Sequence, residues 1–236
     1  MDSLAAVKVS MLLLASGRGE RLGASVPKAF VELAGEPLVV RSMRRLAAVT
    51  DDREIVLAVQ ACDREAFVNP ILESLRAAGL DRVVDGGATR QESMERAFEA
   101  STADSDVVLI HDAARPFFSI EATRQAIAIA IEVGGAVLAT PVADTIKRVD
   151  EAGCVIETVE RSGLWAAQTP QLCRRDALAR SIEIARRDRF LATDDVSLLE
   201  YAGIAVQVVE GSRRNIKVTT PADMEIAEHL ASSEDP

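Results

Sequence analysis

Short apolar runs alternate along the chain with longer stretches in which apolar residues return every three or four positions. The first kind reads as buried strands and the second as helices that bury one face. Val7–Leu14 is a strand by this criterion, stopped by Ser16-Gly17, and Leu38–Val49 is a helix with Leu38, Met43, Leu46 and Val49 on its inner side. A strand over Glu54–Val59, a helix over Asp63–Ala78 stopped by Gly79, a short strand over Arg82–Val84 and a helix over Gln91–Ala100 follow. Next come a strand over Val107–His111, a helix from the N-cap Ser119 to Glu132 and a strand over Gly135–Thr140. Such alternation predicts an α/β protein: a three-layer sandwich with helices on both faces of a mostly parallel, twisted sheet of Rossmann-like type.

The rhythm changes at Pro141. Thr145–Val149 and Cys154–Val159 alternate with period two and are joined by Asp150-Glu151-Ala152-Gly153, which predicts a β-hairpin arm over about residues 142–168. Helices over Arg175–Arg187 and Asp195–Tyr201, strands over Ala205–Val209 and Ile216–Val218, and a helix opened by Pro221 complete the chain, with a frayed tail at Ser232–Pro236. No repeat, linker or charge block interrupts the pattern, so one domain over residues 1–236 with an inserted arm is the expectation.

Composition narrows the field. The chain is 236 residues long, 48% hydrophobic and 27% charged, with a net charge of −10. That balance argues against a broad nucleic-acid surface, which needs a basic face. The longest apolar stretches, Val9–Ala15 and Ala126–Ile131, fall far short of a membrane span of roughly 18 residues. The N-terminus lacks the basic and apolar blocks of a secretory signal. Three cysteines without a C-x-x-C pair and two histidines leave neither a disulfide framework nor a zinc site of usual spacing. A reduced, cytoplasmic setting is expected.

The first strand runs into Ala15-Ser16-Gly17-Arg18-Gly19-Glu20-Arg21-Leu22-Gly23, then Pro27-Lys28. The spacing fits neither a Walker A loop nor a G-x-G-x-x-G dinucleotide fingerprint. It is still suited to phosphate: small residues let backbone N–H groups approach an anion at a strand's carboxyl end. Lys8–Arg45 holds seven basic and three acidic residues, so this acidic chain is locally cationic there. Gly86-Gly87 also follows a strand, and its backbone could line a planar base. Arg90 and Ser93 share one face of the helix start. Asp112, at a strand end, is of a type that holds a sugar hydroxyl or a divalent metal. His111 reads as a packed, hydrogen-bonded residue, Asp194 and Asp195 as helix caps, the cysteines as structural, and Trp165 as an interface residue.

Taken together, the segments resemble a known family. Ala15 to Gly23 with Pro27-Lys28-Ala29-Phe30 is similar to the signature of nucleotidyltransferases with the nucleotide-diphospho-sugar-transferase-like fold. Asp85 to Ser93, His111 to Pro116, Pro141 to Arg148, Gln168 to Gln171, Thr193 to Asp195 and Asn215 to Thr219 follow in the order of the 2-C-methyl-D-erythritol 4-phosphate cytidylyltransferases, over about residues 9–230. The resemblance implies attack of an acceptor phosphate on the α-phosphate of CTP, with release of pyrophosphate. It implies that Arg21 and Lys28 stabilise the transition state, and that Arg161 and Lys217 orient the acceptor phosphate. Ala15, Ser16, Gly17, Gly19, Gly87, Ala88, Arg90, Ser93 and Ala113 would hold the nucleotide. Asp112, Arg115, Thr145, Thr169 and Thr193 would form the methylerythritol phosphate pocket. The family usually has a second alanine where this chain has Ser16. Mg²⁺ is expected mostly on the triphosphate oxygens, with Asp112 a weaker ligand, and the arm is expected to swap across a homodimer with shared active sites. A cytidylyltransferase for another polyol phosphate, such as ribitol 5-phosphate, and a catalytically silent nucleotide-binding scaffold remain the alternatives.

Overall fold

The computed structural model describes residues 7–17 and 26–233. Gly19 and Arg21 lie outside the described residues, as does the expected tail from Glu234 onward. A central sheet is laid down as β1 (Val9–Leu14), β4 (Arg53–Val59), β5 (Arg82–Asp85), β6 (Val107–Asp112), β7 (Gly135–Pro141), β10 (Trp165–Arg174) and β11 (Val206–Glu210). Two small hairpins supply the remaining strands: β2 (Glu32–Leu33) with β3 (Glu36–Pro37), and β8 (Ile146–Val149) with β9 (Val155–Val159). The helices are α1 (Leu38–Ala47), α2 (Leu72–Ala77), α3 (Arg90–Ala100), α4 (Ile120–Val133), α5 (Arg175–Asp188), α6 (Asp195–Tyr201) and α7 (Pro221–Ser232).

The seven-stranded sheet has the order β11-β7-β10-β6-β1-β4-β5, and β10 alone pairs antiparallel with both of its neighbours. Period-two alternation places Met11 and Leu13 of β1 in the core under α1, α2 and α4, while Leu12 and Leu14 meet α3, α5 and α6 on the other face. Both faces are covered, which is why the parallel strands read as unbroken apolar runs. A smaller cluster, including Leu33, Leu38, Phe117 and Val218, seats α7 against the first hairpin.

Local chemistry explains the boundaries. Thr89, Ser119, Asp194 and Thr220 cap α3, α4, α6 and α7 by accepting a backbone N–H. Asp194 is thus a cap, as expected, but Asp195 is not: its carboxylate is turned to Arg90. Three expectations need correction. The helix expected over Asp63–Ala78 is instead a wide turn over Arg64–Val68, a 3₁₀ turn over Asn69–Ile71 and the short α2, because Pro70 brings no N–H and its ring crowds the preceding turn. Ile216–Val218 forms no strand; Val218 is held by a bond from its N–H to Ala114 O at 2.9 Å and by complete burial. The arm is shorter than expected, since residues 165–168 already belong to β10. A Pro inside a central strand normally argues against that strand; here a register shift between Ala167 and Gln171 leaves Pro170 out of the ladder.

Candidate active site

Because β1, β4, β5 and β6 are parallel, their carboxyl ends share one edge of the sheet. Residues 15–17, Gln60, 86–88 and 113–114 follow those ends directly, with Asp112 the last residue of β6, and between them opens a cavity of about 700 Å³. Ala15, Ser16, Gly17, Gly87, Ala88, Arg90 and Ala113 line it, together with Lys28, Asp112 and Lys217. This is the crevice in which ligands of open α/β sheets collect. Close packing explains the glycines. A Cβ on Gly87 would lie 2.2 Å from that of Glu92, and one on Gly86 would lie 2.9 Å from Ser16 Cβ.

The second loop is satisfied from within. Gly87 N–H donates to Ser93 Oγ at 3.0 Å and Ala88 N–H to the Glu92 carboxylate at 2.8 Å. Ser93 is fully buried, gives its own proton to Thr89 O at 2.9 Å and accepts from Ser16 Oγ at 2.9 Å. It lies behind the cavity wall and shapes the loop from there. Gln60, which carried no role in the sequence reading, donates its amide to Ser16 O at 3.0 Å and to Gly87 O at 3.3 Å.

Charge is concentrated around Asp112. One carboxylate oxygen faces Arg90 at 3.2 Å and the other meets Lys217 Nζ at 2.7 Å. Burial alone would raise this carboxyl, but the Arg90 and Lys217 charges outweigh it and hold it well below the usual carboxylate range. Arg90 in turn makes a two-point pair with the buried Asp195, both contacts at 2.7 Å. Desolvation works against its charge, yet the two carboxylates keep the guanidinium firmly protonated. Asp195 is set by Gln171, whose Oε1 accepts from the backbone N–H groups of Asp195 and Val196.

His111 is the packed residue expected. Burial pushes its pKa down to about 3, so the ring is neutral. Its Nε2 lies 3.0 Å from Arg115 O, an acceptor, and therefore carries the proton. Nδ1 then accepts from Thr169 Oγ at 2.9 Å, and the same hydroxyl accepts from the Asp112 N–H at 3.1 Å. Thr169 is buried and fixes the backbone of Asp112. Arg115, which is not among the cavity-lining residues, donates to Asn215 O at 2.8 Å. Asn215 bonds Gln168 and Thr169, and this tie holds the segment that carries Lys217. Thr193 is exposed, one residue before the cap of α6.

Thr145 and Arg161 stand apart from this cleft. Both are exposed on the arm, where they line a separate cavity of about 280 Å³ with Thr158, Val159 and Glu160. Arg161 donates to Ala143 O. Cys62 and Cys154 are exposed and Cys173 is buried, all three as free thiols. Among the described residues, no group of three or more His, Cys, Asp or Glu side chains is placed to hold a metal ion, and no helix is long and apolar enough to cross a membrane.

A glycine-lined, cationic cleft at the carboxyl ends of parallel strands defines an α/β nucleotide-binding protein. The family model described as 2-C-methyl-D-erythritol 4-phosphate cytidylyltransferase matches residues 9–233, and the chain belongs to that family. The enzyme of this name from Geobacillus kaustophilus is 40% identical over 223 residues, covering 94% of this chain and 96% of its own. The chloroplastic enzyme of Oryza sativa subsp. japonica is 37% identical, covering 94% and 74%. Among solved structures, the 2-C-methyl-D-erythritol 4-phosphate cytidylyltransferase from Thermus thermophilus superposes with a TM-score of 0.78 at 32% identity, covering 96% of this chain and all of the other. The 4-diphosphocytidyl-2C-methyl-D-erythritol synthase from Anaerococcus prevotii gives 0.81 at 27% identity, covering 96% and 99%.

Proposed function

We propose that this chain transfers the cytidylyl group of CTP to 2-C-methyl-D-erythritol 4-phosphate. The observation that carries this reading is the placement of Lys28, Arg90 and Lys217 on one cavity that is also lined by the small residues 15–17, 87–88 and 113–114. A polyphosphate needs cations and close-approaching backbone, and the joining of two anions needs their repulsion lowered. An oxygen of the acceptor phosphate attacks the α-phosphorus of CTP. The bond from that phosphorus to the β-phosphate oxygen breaks, and pyrophosphate leaves. The nucleophile is already an anion, so no general base is required, and the neutral His111 is consistent with a purely structural part.

Ala15, Ser16, Gly17, Gly87, Ala88, Arg90 and Ala113 hold the nucleotide in this reading, with Gly19 and Arg21 completing the first loop. Lys28 and Arg21 stabilise the charge that develops during transfer. Lys217 exchanges Asp112 for the acceptor phosphate, and Asp112 turns to the acceptor's hydroxyls, with Arg115, Thr169 and Thr193 shaping the pocket around them.

Mg²⁺ fits this cleft as a companion of CTP. Among the described residues the lining holds one carboxylate, Asp112, already paired with two cations, whereas Mg²⁺ in phosphate sites needs only one or two carboxylates besides the phosphate oxygens. When bound, it neutralises triphosphate charge.

The arm is the expected dimerisation element. Its exposed Val155 and Ile156 give it an apolar surface to bury, and Thr145 and Arg161, remote from this chain's own cleft, are then supplied to a partner's. A cytoplasmic location suits the exposed free thiols.

The test is a matrix of nucleoside triphosphates against polyol phosphates, read by pyrophosphate release with and without Mg²⁺. Turnover with CTP and methylerythritol phosphate, abolished by chelation, is expected. Product from ribitol 5-phosphate alone, or none with any pair, would overturn the assignment.

A further inference from the structure

The walls of the cleft come from different strands. Residues 15–17 leave β1 and residues 86–88 leave β5, with β4 between them in the sheet. The Ala15 N–H donates to Ala58 O at 2.8 Å and the Gly86 N–H to Val59 O at 2.6 Å, which fixes the base of each wall on β4; the spacing of the loops beyond those bonds depends on what spans the gap above the strand's end. Gln60 is the first residue past that strand, and its Nε2 reaches Ser16 O on one wall at 3.0 Å and Gly87 O on the other at 3.3 Å. Both partners are carbonyl oxygens, so the amide nitrogen, the donor, must face them.

A second link runs beneath the first. Ser16 Oγ and Ser93 Oγ are 2.9 Å apart, and proton counting fixes the direction of the bond. The single hydrogen of Ser93 goes to Thr89 O, and Ser93 Oγ already accepts from Gly87 N–H. Its remaining capacity is to accept, so Ser16 donates. Ser93 is buried and fixed by α3, which makes it an anchor for the first loop. An alanine in place of Ser16 would lack this link altogether.

From this we infer that Gln60 and the Ser16 hydroxyl are positioning residues that brace the two loops and preset the width of the nucleotide cleft. The inference rests on the cleft being the CTP site. Neither side chain has to touch the reacting atoms. With the brace in place the loops meet the nucleotide already spaced, and without it the nucleotide must order them on binding, which costs affinity. The expected signature is a selective loss of CTP affinity, with kcat and acceptor affinity falling far less.

Gln60→Met keeps the length and removes the donor; Ser16→Ala removes the hydroxyl. CTP binding is measured by calorimetry, KM for each substrate by steady-state kinetics, thermal midpoint by calorimetric scanning, and exchange of the residue 86–88 amides by hydrogen–deuterium exchange without nucleotide. Each variant should lose roughly five- to tenfold in CTP affinity, the worth of about one neutral hydrogen bond, and show faster exchange of those amides at an unchanged midpoint. Wild-type CTP affinity in Gln60→Met would overturn the brace, as would an equal loss of kcat, acceptor affinity and midpoint. Failure of the wild-type chain to bind CTP would instead strike the functional assignment, and amide exchange would still decide whether Gln60 and Ser16 hold the loops.

Discussion

Lys217 Nζ lies 2.7 Å from Asp112 Oδ2, so a cation assigned to the acceptor phosphate is already held by a carboxylate of the same cleft. The pair stores Lys217 in position and keeps two charges matched until an anion takes over one of them. Arg90 occupies the other oxygen of Asp112 and is itself balanced by Asp195. Removing the Asp112 charge leaves Arg90 its bidentate partner but takes away that of Lys217. Asp112→Asn should lower kcat/KM for the acceptor by about 100-fold, the scale of losing one preorganised electrostatic contact, with a smaller effect on CTP binding. Two-substrate kinetics checks this; acceptor kcat/KM within about twofold of the parent would remove Asp112 from the mechanism.

The neutral His111 gives stability a pH dependence of definite sign. Its folded pKa is pushed down to about 3, below the ordinary 6.5. Between those values the unfolded chain binds the extra proton, so stability is full above about 6.5 and declines as the pH drops toward 3. Asp112, also held below its ordinary 3.8, adds a loss of the same sign only in stronger acid. Urea unfolding at stepped pH across this window should show the decline, and His111→Asn should flatten it by about one proton. A variant with the parent's slope would place the proton elsewhere.

Gly87 offers a steric test of the second wall. Any Cβ there meets Glu92 Cβ at 2.2 Å, a contact that backbone at the start of α3 must yield to relieve. Gly87→Ala should raise the KM for CTP by more than about tenfold, since it displaces a wall and not a single bond. The KM for the acceptor should move less. Kinetics near those of the parent would show that the wall does not touch the nucleotide.

The arm predicts association. Val155 and Ile156 are 61% and 62% exposed, on a hairpin whose two strands pair only with each other. Ile156→Lys should shift sedimentation from dimer to monomer, and activity should fall with it if Arg161 and Thr145 serve a partner's cleft. A parent chain that sediments as a monomer at all concentrations would cancel the shared-site proposal.

How far the fold was legible depended on burial pattern. β1, β4 and β6 are covered on both faces and announce themselves as apolar runs. β10 is equally central, but Gln168, Thr169, Pro170 and Gln171 interrupt its middle, and its pairing comes from β6 and β7, far away in sequence. The stop at Pro70 was readable in principle, whereas Ile216–Val218 has strand-like composition and becomes an extended tether. In the site, the small-residue loops were legible because close backbone approach demands particular residues. Gln60 was not, since a lone glutamine after a strand carries no pattern. The Arg90–Asp195 pair spans 105 positions and exists only once the fold brings the first residues of α3 and α6 together.

β10 starts at Trp165, 41% exposed where the arm rejoins the sheet, and carries the buried Thr169 that holds the Asp112 amide within the register shift between Ala167 and Gln171. The root of the arm and the hydroxyl that sets Asp112 are thus carried by one strand, so a contact made at Trp165 is made on the same element that shapes the cleft.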